Sequence, residues 1–358
     1  MTVLNFIPDI MEKAMKTDDQ PKNSNFADLL KFIMSIFVVA IHAHFLKGNE
    51  IADMLISDVF GRIAVPFFFT AAAFFLFRHI DEPNFGKRVT RYLTKMGLLY
   101  IICTFIYVPA IMDWNKGKVS LFKWFKLIFF EGSYRQLWFL PALVFAVALV
   151  YALCRMGIST KVIFAFSVPL YIVGCAFHSF YKPLITLEFI DEFARGYYNI
   201  FGTTRNGIFF GFIYVALGAL LATHSLKLKK TVAWLCLFAS TAVMIIEVLI
   251  VEEFSVAPKG MGMYLSVFFV ALFLFWISIN TGFLSGLPDK PFKVLRKLST
   301  YIYFSHTFFL YIFSDLSYNA EFFAAMVASV LFGFLIIGLQ KISKLINLRK
   351  LLSEQREQ

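Results

Sequence analysis

Ten apolar stretches, each about 16–21 residues long, recur along this chain between polar or basic segments. They lie near 27–46, 59–78, 92–112, 136–154, 161–178, 205–223, 231–251, 261–279, 299–314 and 321–339. A helix of about 20 residues crosses the hydrocarbon core of a bilayer and satisfies its own backbone hydrogen bonds there. The stretches therefore predict an all-α fold: a polytopic membrane helix bundle of about ten transmembrane helices. Composition excludes a soluble domain with one anchor. Hydrophobic residues are 59% of the chain and charged residues 16%, against globular averages of about 45–50% and about 25%. His178 and Tyr181 blur the end of the fifth stretch, and the ninth is short.

The net charge of +11 has a simple cause in such a chain and does not call for nucleic acid. If the N-terminus is inside, roughly 21 of the 34 Lys and Arg fall in cytoplasmic segments, roughly 10 in outer loops and three within spans. That bias predicts an N-in, C-in topology, as an even span count requires. The exception is the outer loop 113–135, with Lys116, Lys118, Lys123, Lys126 and Arg135. Either it is long enough to escape the rule or it binds something acidic. Three regions follow: a cytoplasmic N-terminal segment 1–26, a transmembrane domain 27–339, and a basic cytoplasmic tail 340–358 that would meet anionic membrane lipids. No signal peptide is visible in 1–26, so the first span is expected to act as an uncleaved insertion signal. Cys103, Cys154, Cys175 and Cys236 fall in or beside spans with no close pair, which favours buried thiols over a disulfide framework or zinc site.

Within the first stretch, Asp28, Lys31, Ser35 and His42 fall within about 60° of one another on a helix of 100° per residue. Ionisable groups inside a span are costly and, by default, face a bundle interior or wet cavity. His42 is the candidate general base, since imidazole is the usual group for removing a hydroxyl proton near neutral pH. His44, two residues on, points nearly the opposite way. That geometry is wrong for one metal ion, so no metal site is expected.

At the start of the third span, Arg88, Arg91 and Lys95 share a helical face. Guanidinium forks suit phosphate or pyrophosphate recognition, although basic residues at a cytoplasmic helix start also serve as membrane anchors. With Lys31 they would make an anion pocket. Lys31 and His42 are eleven residues apart, roughly 16 Å of helix rise. A donor with a long flexible arm, held by its phosphates and reactive at its far end, fits that gap.

Together these residues resemble the acyltransferase-3 family of integral-membrane acyltransferases, which modify cell-surface carbohydrates in bacteria. Lys31 and His42 resemble its opening pair, a basic residue eleven before a histidine, where the family more often has Arg. The run Val65-Pro-Phe-Phe-Phe-Thr-Ala-Ala-Ala73 resembles its Val-Pro-x-Phe-Phe element, with Ala72-Ala73 in place of the usual Ser-Gly. Arg88-Val-Thr-Arg91 is similar to its Arg-x-x-Arg, and Gln136-Leu-Trp-Phe-Leu140 to a His-Leu-Trp-Phe-Leu element with Gln136 in the His place. Thr204-Arg-Asn-Gly207, Leu217-Gly-Ala-Leu220 and Tyr301-Ile-Tyr-Phe-Ser-His306 match its later marks.

The resemblance implies a bacterial inner or plasma membrane enzyme with no bound cofactor. Acetyl-coenzyme A, or another acyl-coenzyme A, would be the co-substrate. A surface glycan or lipid-linked sugar would be the acceptor. It gives His42 the catalytic role and Arg88 and Arg91, helped by Lys31, the donor phosphates. Arg205 and His306 are candidates for the acceptor or the developing oxyanion. A second function class stays open. One branch of the family is similar to the membrane part of serine racemases linked to vancomycin resistance, where transport or binding of a small amino acid is suggested. That branch carries a soluble catalytic domain after its last span, which is not expected after the tail here.

Overall fold

The computed structural model describes residues 24–117, 119–184, 186, 188–254 and 262–354. Most of the expected segment 1–26, Lys118, and the side chains of the basic tail from residue 344 onward lie outside the described residues.

Each of the ten apolar stretches corresponds to one helix. We label them with one amphipathic helix between the fifth and sixth: α1 Asn25–Ala43, α2 Gly61–Phe77, α3 Phe85–Ile106, α4 Phe139–Arg155, α5 Thr160–His178, α6 Glu188–Phe201, α7 Phe212–Thr223, α8 Lys230–Phe254, α9 Ser266–Asn280, α10 Asp289–Ile312 and α11 Tyr318–Glu354. Among the described residues there is no strand. Seven helical segments are long and apolar enough to cross a membrane, and Gly207–Thr223 and Ser266–Asn280 are shorter apolar helices. The remaining one, α10, begins about ten residues before its expected span. Lys290, Lys293, Arg296 and Lys297 occupy its first turns. Hydropathy marks the apolar part of such a helix; its backbone continues while long basic side chains reach toward the interface.

The centre of the bundle is α1, α2, α7, α9 and α10, packed α1 on α10 and α2, and α2 on α7 and α9. α8 and α11 carry exposed Leu235, Phe238, Ile246, Phe323, Leu331 and Leu335, as faces toward lipid would. α1 and α10 run side by side in one direction. Asn25 Nδ2 donates to the Leu284 and Leu287 carbonyls at one end (3.2 and 3.1 Å), and His42 meets His306 at the other, with ring centroids 5.3 Å apart.

Close approach of α2 and α7 depends on Gly218. A Cβ there would lie 2.4 Å from the Thr70 carbonyl oxygen and 2.7 Å from Ala73 Cβ. Where the resemblance would put Ser-Gly, Ala72-Ala73 thus faces a glycine on the neighbouring helix, in the manner of small-residue packing in membranes.

Two π-helical stretches, Met54–Phe60 before α2 and Gly207–Gly211 before α7, break the regular ladder. Gly61 at the first lets Ile41 of α1 come close; a Cβ would sit 2.5 Å from Ile41 Cδ1. Such bulges often border functional sites; Gly61, which follows the first, and Phe210 of the second line the smaller cavity beside His42.

The two long loops are not irregular. Loop 113–135 contains the helix Leu121–Lys126, with exposed Leu121, Phe122 and Phe125. Loop 179–204 contains α6. Lys126 clasps them, donating to the Tyr198 and Asn199 carbonyls (3.2 and 3.1 Å) and pairing with Glu131 at 3.3 Å. Arg135 donates to the His42 carbonyl at 3.3 Å and lies over the Trp114 ring. Two of the loop's basic residues are therefore engaged in holding the loops. Cys103, Cys154, Cys175 and Cys236 are free thiols.

Candidate active site

The polar stripe of α1 separates into two ends. At the first, Asp28 is 1% exposed and pairs with Lys31 Nζ at 3.2 Å and Arg296 Nη1 at 3.6 Å. Lys31 also lies 4.5 Å above the Phe75 ring. Lys31 and Arg296 border a cavity of about 210 Å³, whose other walls include Phe68, Ala72, Tyr92 and Phe139. Arg296 carried no sequence motif. Its place on α10 one turn before Thr300 and two before Tyr303, also cavity residues, was the available signal. Ser35, between the two ends, takes no part in either: it is fully buried and its hydroxyl donates back to the Phe32 carbonyl at 2.7 Å.

Neither Arg88 nor Arg91 is among the residues lining this cavity. Arg88 pairs with Glu82 at 3.0 Å, and Arg91 is exposed. Glu82 is held below the usual carboxylate range, first by its hydrogen bond to His79 at 2.5 Å and then by the His79 and Arg88 charges. Arg88 nevertheless continues the α3 face of Tyr92, Met96 and Leu99, which do line the cavity, one turn toward the helix start.

At the second end, a cavity of about 60 Å³ is bordered by His42, Arg62, Gln136, Trp138, Arg205 and Tyr303, among others. The Arg135–Trp138 turn before α4 places Gln136 and Trp138. Gln136 Nε2 donates to Tyr107 Oη at 3.1 Å, while Tyr107 donates to the Phe304 carbonyl at 2.8 Å. The Arg205 guanidinium lies 4.6 Å from the Trp138 ring centroid. His306 stands behind His42 and is fully buried. Its Nδ1 donates to the Ile302 carbonyl at 2.9 Å, since a carbonyl only accepts; its Nε2 has no partner. His44 is not on the helix at all. It caps α1 in the left-handed conformation (φ 51°), and its ring faces Tyr318.

Tyr303 borders both cavities. Its hydroxyl donates to the Gln136 carbonyl at 2.9 Å and its ring leans on Phe68 and Phe139. It is the one lining residue that the Lys31-end cavity and the His42-end cavity share, and so stands between them. Tyr303, Arg62 and Trp138 were not singled out as site residues by sequence, since each sits in an apolar run where an aromatic or a flanking base reads as packing.

The model of the acyltransferase-3 family, described as an acyltransferase domain, matches residues 24–338. An amino-acid racemase of Enterococcus faecalis is 28% identical over 82% of this chain and 42% of its own length. A serine/alanine racemase of Enterococcus gallinarum is 28% identical over 78% of this chain and 40% of its own length. The chain therefore spans less than half the length of these curated relatives. No solved structure matches it. With its helical bundle and a family match over nearly its whole length, this membrane protein belongs to the acyltransferase-3 family.

Proposed function

We propose that the protein is a membrane O-acyltransferase of the bacterial cell membrane that moves an acyl group, in our reading acetyl, from acyl-coenzyme A to a hydroxyl of a surface glycan or related exported acceptor. The observation that carries this reading is the two cavities along α1 with Tyr303 between them. The basic end would take the donor's phosphates, at Lys31 and Arg296, with Arg88 and Arg91 beyond the cavity wall. Its arm would pass Tyr303 to bring the thioester to His42. There His42 would take the proton of the acceptor hydroxyl as that oxygen attacks the thioester carbonyl. Arg205 would stabilise the oxyanion, and the coenzyme would leave as its thiolate. Mass spectrometry of surface glycans from cells with and without the protein tests this; identical acylation in both would remove the reading.

Both termini are proposed to be cytoplasmic. Reporter fusions at Gln358 and within loop 113–135 should then report opposite sides, and same-side signals would overturn the topology.

The likeness to amino-acid racemases gives some support to a second reading, a transport or binding module for a small amino acid. Uptake of labelled serine into vesicles, unaffected by acyl-coenzyme A, would support it.

A further inference from the structure

Next to His42, Arg62 and Arg205 line the second cavity and His178 stands beside Gly262 at its edge; the acyl-transfer step uses one face of Arg205 and gives no role to Arg62 or His178. A Cβ placed on Gly262 would lie 3.2 Å from Arg205 Nη1, 3.5 Å from Arg62 Nη1 and 3.6 Å from His178 Nε2. These three side chains come from separate parts of the chain, before α7, at the start of α2 and at the end of α5. They converge on the one point that the absence of a side chain leaves open.

Their existing partners do not account for the convergence. Asp58 engages Arg62 through Nε and Nη2 (3.3 and 2.9 Å), which leaves Nη1. Among the described residues no carboxylate pairs with Arg205, whose face lies on Trp138. His178 is 2% exposed and neither ring nitrogen has a hydrogen-bond partner. A buried polar group without a partner costs free energy and calls for an explanation. Here one anion would satisfy all three.

We propose that the space in front of Gly262, which these nitrogens face, is an oxoanion subsite that holds a carboxylate of the acceptor beside the hydroxyl to be acylated. Charge and size select the carboxylate. Arg62, Arg205 and Asp58 sum to one positive charge, which a monoanion neutralises and a phosphate dianion overshoots. A cavity of about 60 Å³ holds a few water-sized groups, at roughly 10–15 Å³ each, but not a whole sugar ring. The acceptor would insert its acidic substituent and leave its body outside. Two guanidiniums and an imidazole also fix orientation, as charge-assisted contacts to a planar oxoanion do. The subsite rests on the acyl-transfer reading for its hydroxyl but not for its anion.

The test is thermal unfolding of the full chain in lipid nanodiscs at fixed ionic strength, with sodium glycolate, glycolamide or inorganic phosphate as probes. Glycolate at about ten times its Kd should raise Tm by ~2 °C, with smaller shifts for phosphate and none for the neutral amide. Gly262→Ala, which fills the point without changing charge, and Arg205→Gln should each weaken glycolate at least ten-fold, with their own Tm values showing that they fold. Equal stabilisation by glycolate and glycolamide, a larger shift with phosphate, or unchanged glycolate affinity in both variants would overturn the proposal. Acyl transfer by the wild-type protein is measured in parallel. Glycolate binding without transfer removes the catalytic reading and leaves the subsite; transfer without glycolate binding does the reverse.

Discussion

The two ends of α1 solve the same problem in opposite ways. At the Lys31 end the charges are paired: Asp28 stands between Lys31, which donates a hydrogen bond to it, and Arg296, whose Nη1 is held by the longer ion pair alone. The larger cavity beside them is walled mainly by apolar side chains. At the His42 end the cavity is smaller and its surroundings are polar, and several groups are left without partners: His306 Nε2, Gln136 Oε1 and both His178 ring nitrogens. Self-paired charges persist without a ligand; unpartnered buried atoms mark where a polar ligand is expected. The first end therefore reads as a preformed grip for an anchored, partly apolar donor, and the second as the place where polar chemistry occurs.

The comparison breaks most visibly if the histidine end is not catalytic. His42→Ala should lower acyl transfer by about 10²–10⁴-fold, the usual worth of a general base, with insertion and donor binding retained. His44→Ala, at the cap and facing Tyr318, should change it little. A His42 variant that transfers at the wild-type rate would shift the balance to the transport reading.

The next effect concerns stability rather than rate. Asp28→Ala would leave Lys31 and Arg296 buried and opposed. Loss of one partner from such a cluster costs on the order of 3 kcal/mol, read as a lower Tm of the purified protein. An unchanged Tm would mean that the Lys31 end is solvated and not self-paired.

The smallest effect sharpens the donor assignment. Arg88→Ala and Arg91→Ala should each weaken acyl-coenzyme A binding by about 1–3 kcal/mol if they hold phosphate, and Arg88→Ala less than Arg91→Ala if the Glu82 pair persists in the complex. Normal binding by both variants would make them interfacial anchors and leave Lys31 and Arg296 as the phosphate grip.

Much of this was legible in the residues. Hydrophobic runs of bilayer length located ten helices, because backbone satisfaction in lipid admits little else. The alignment of Lys31 and His42 followed from helical periodicity alone, and the Arg205 and His306 motifs do lie at the His42 end. Other features were not legible. Arg296 and Tyr303 belong to a helix whose start hydropathy misplaced. Arg62 reads as a flanking base, and Gly262 has no motif. His44 left the helix because its end is set by a left-handed cap, which a continuous apolar run conceals.

What the sequence determined by itself is everything that depends on neighbours in the chain: helical class, span positions, family membership and the face that carries His42. What only the tertiary structure decided is which distant residues share a space. Arg296 reaches Asp28, Tyr303 divides the cavities, and Arg62, His178 and Arg205 meet at Gly262, because helix packing across small residues, and not sequence separation, sets those distances.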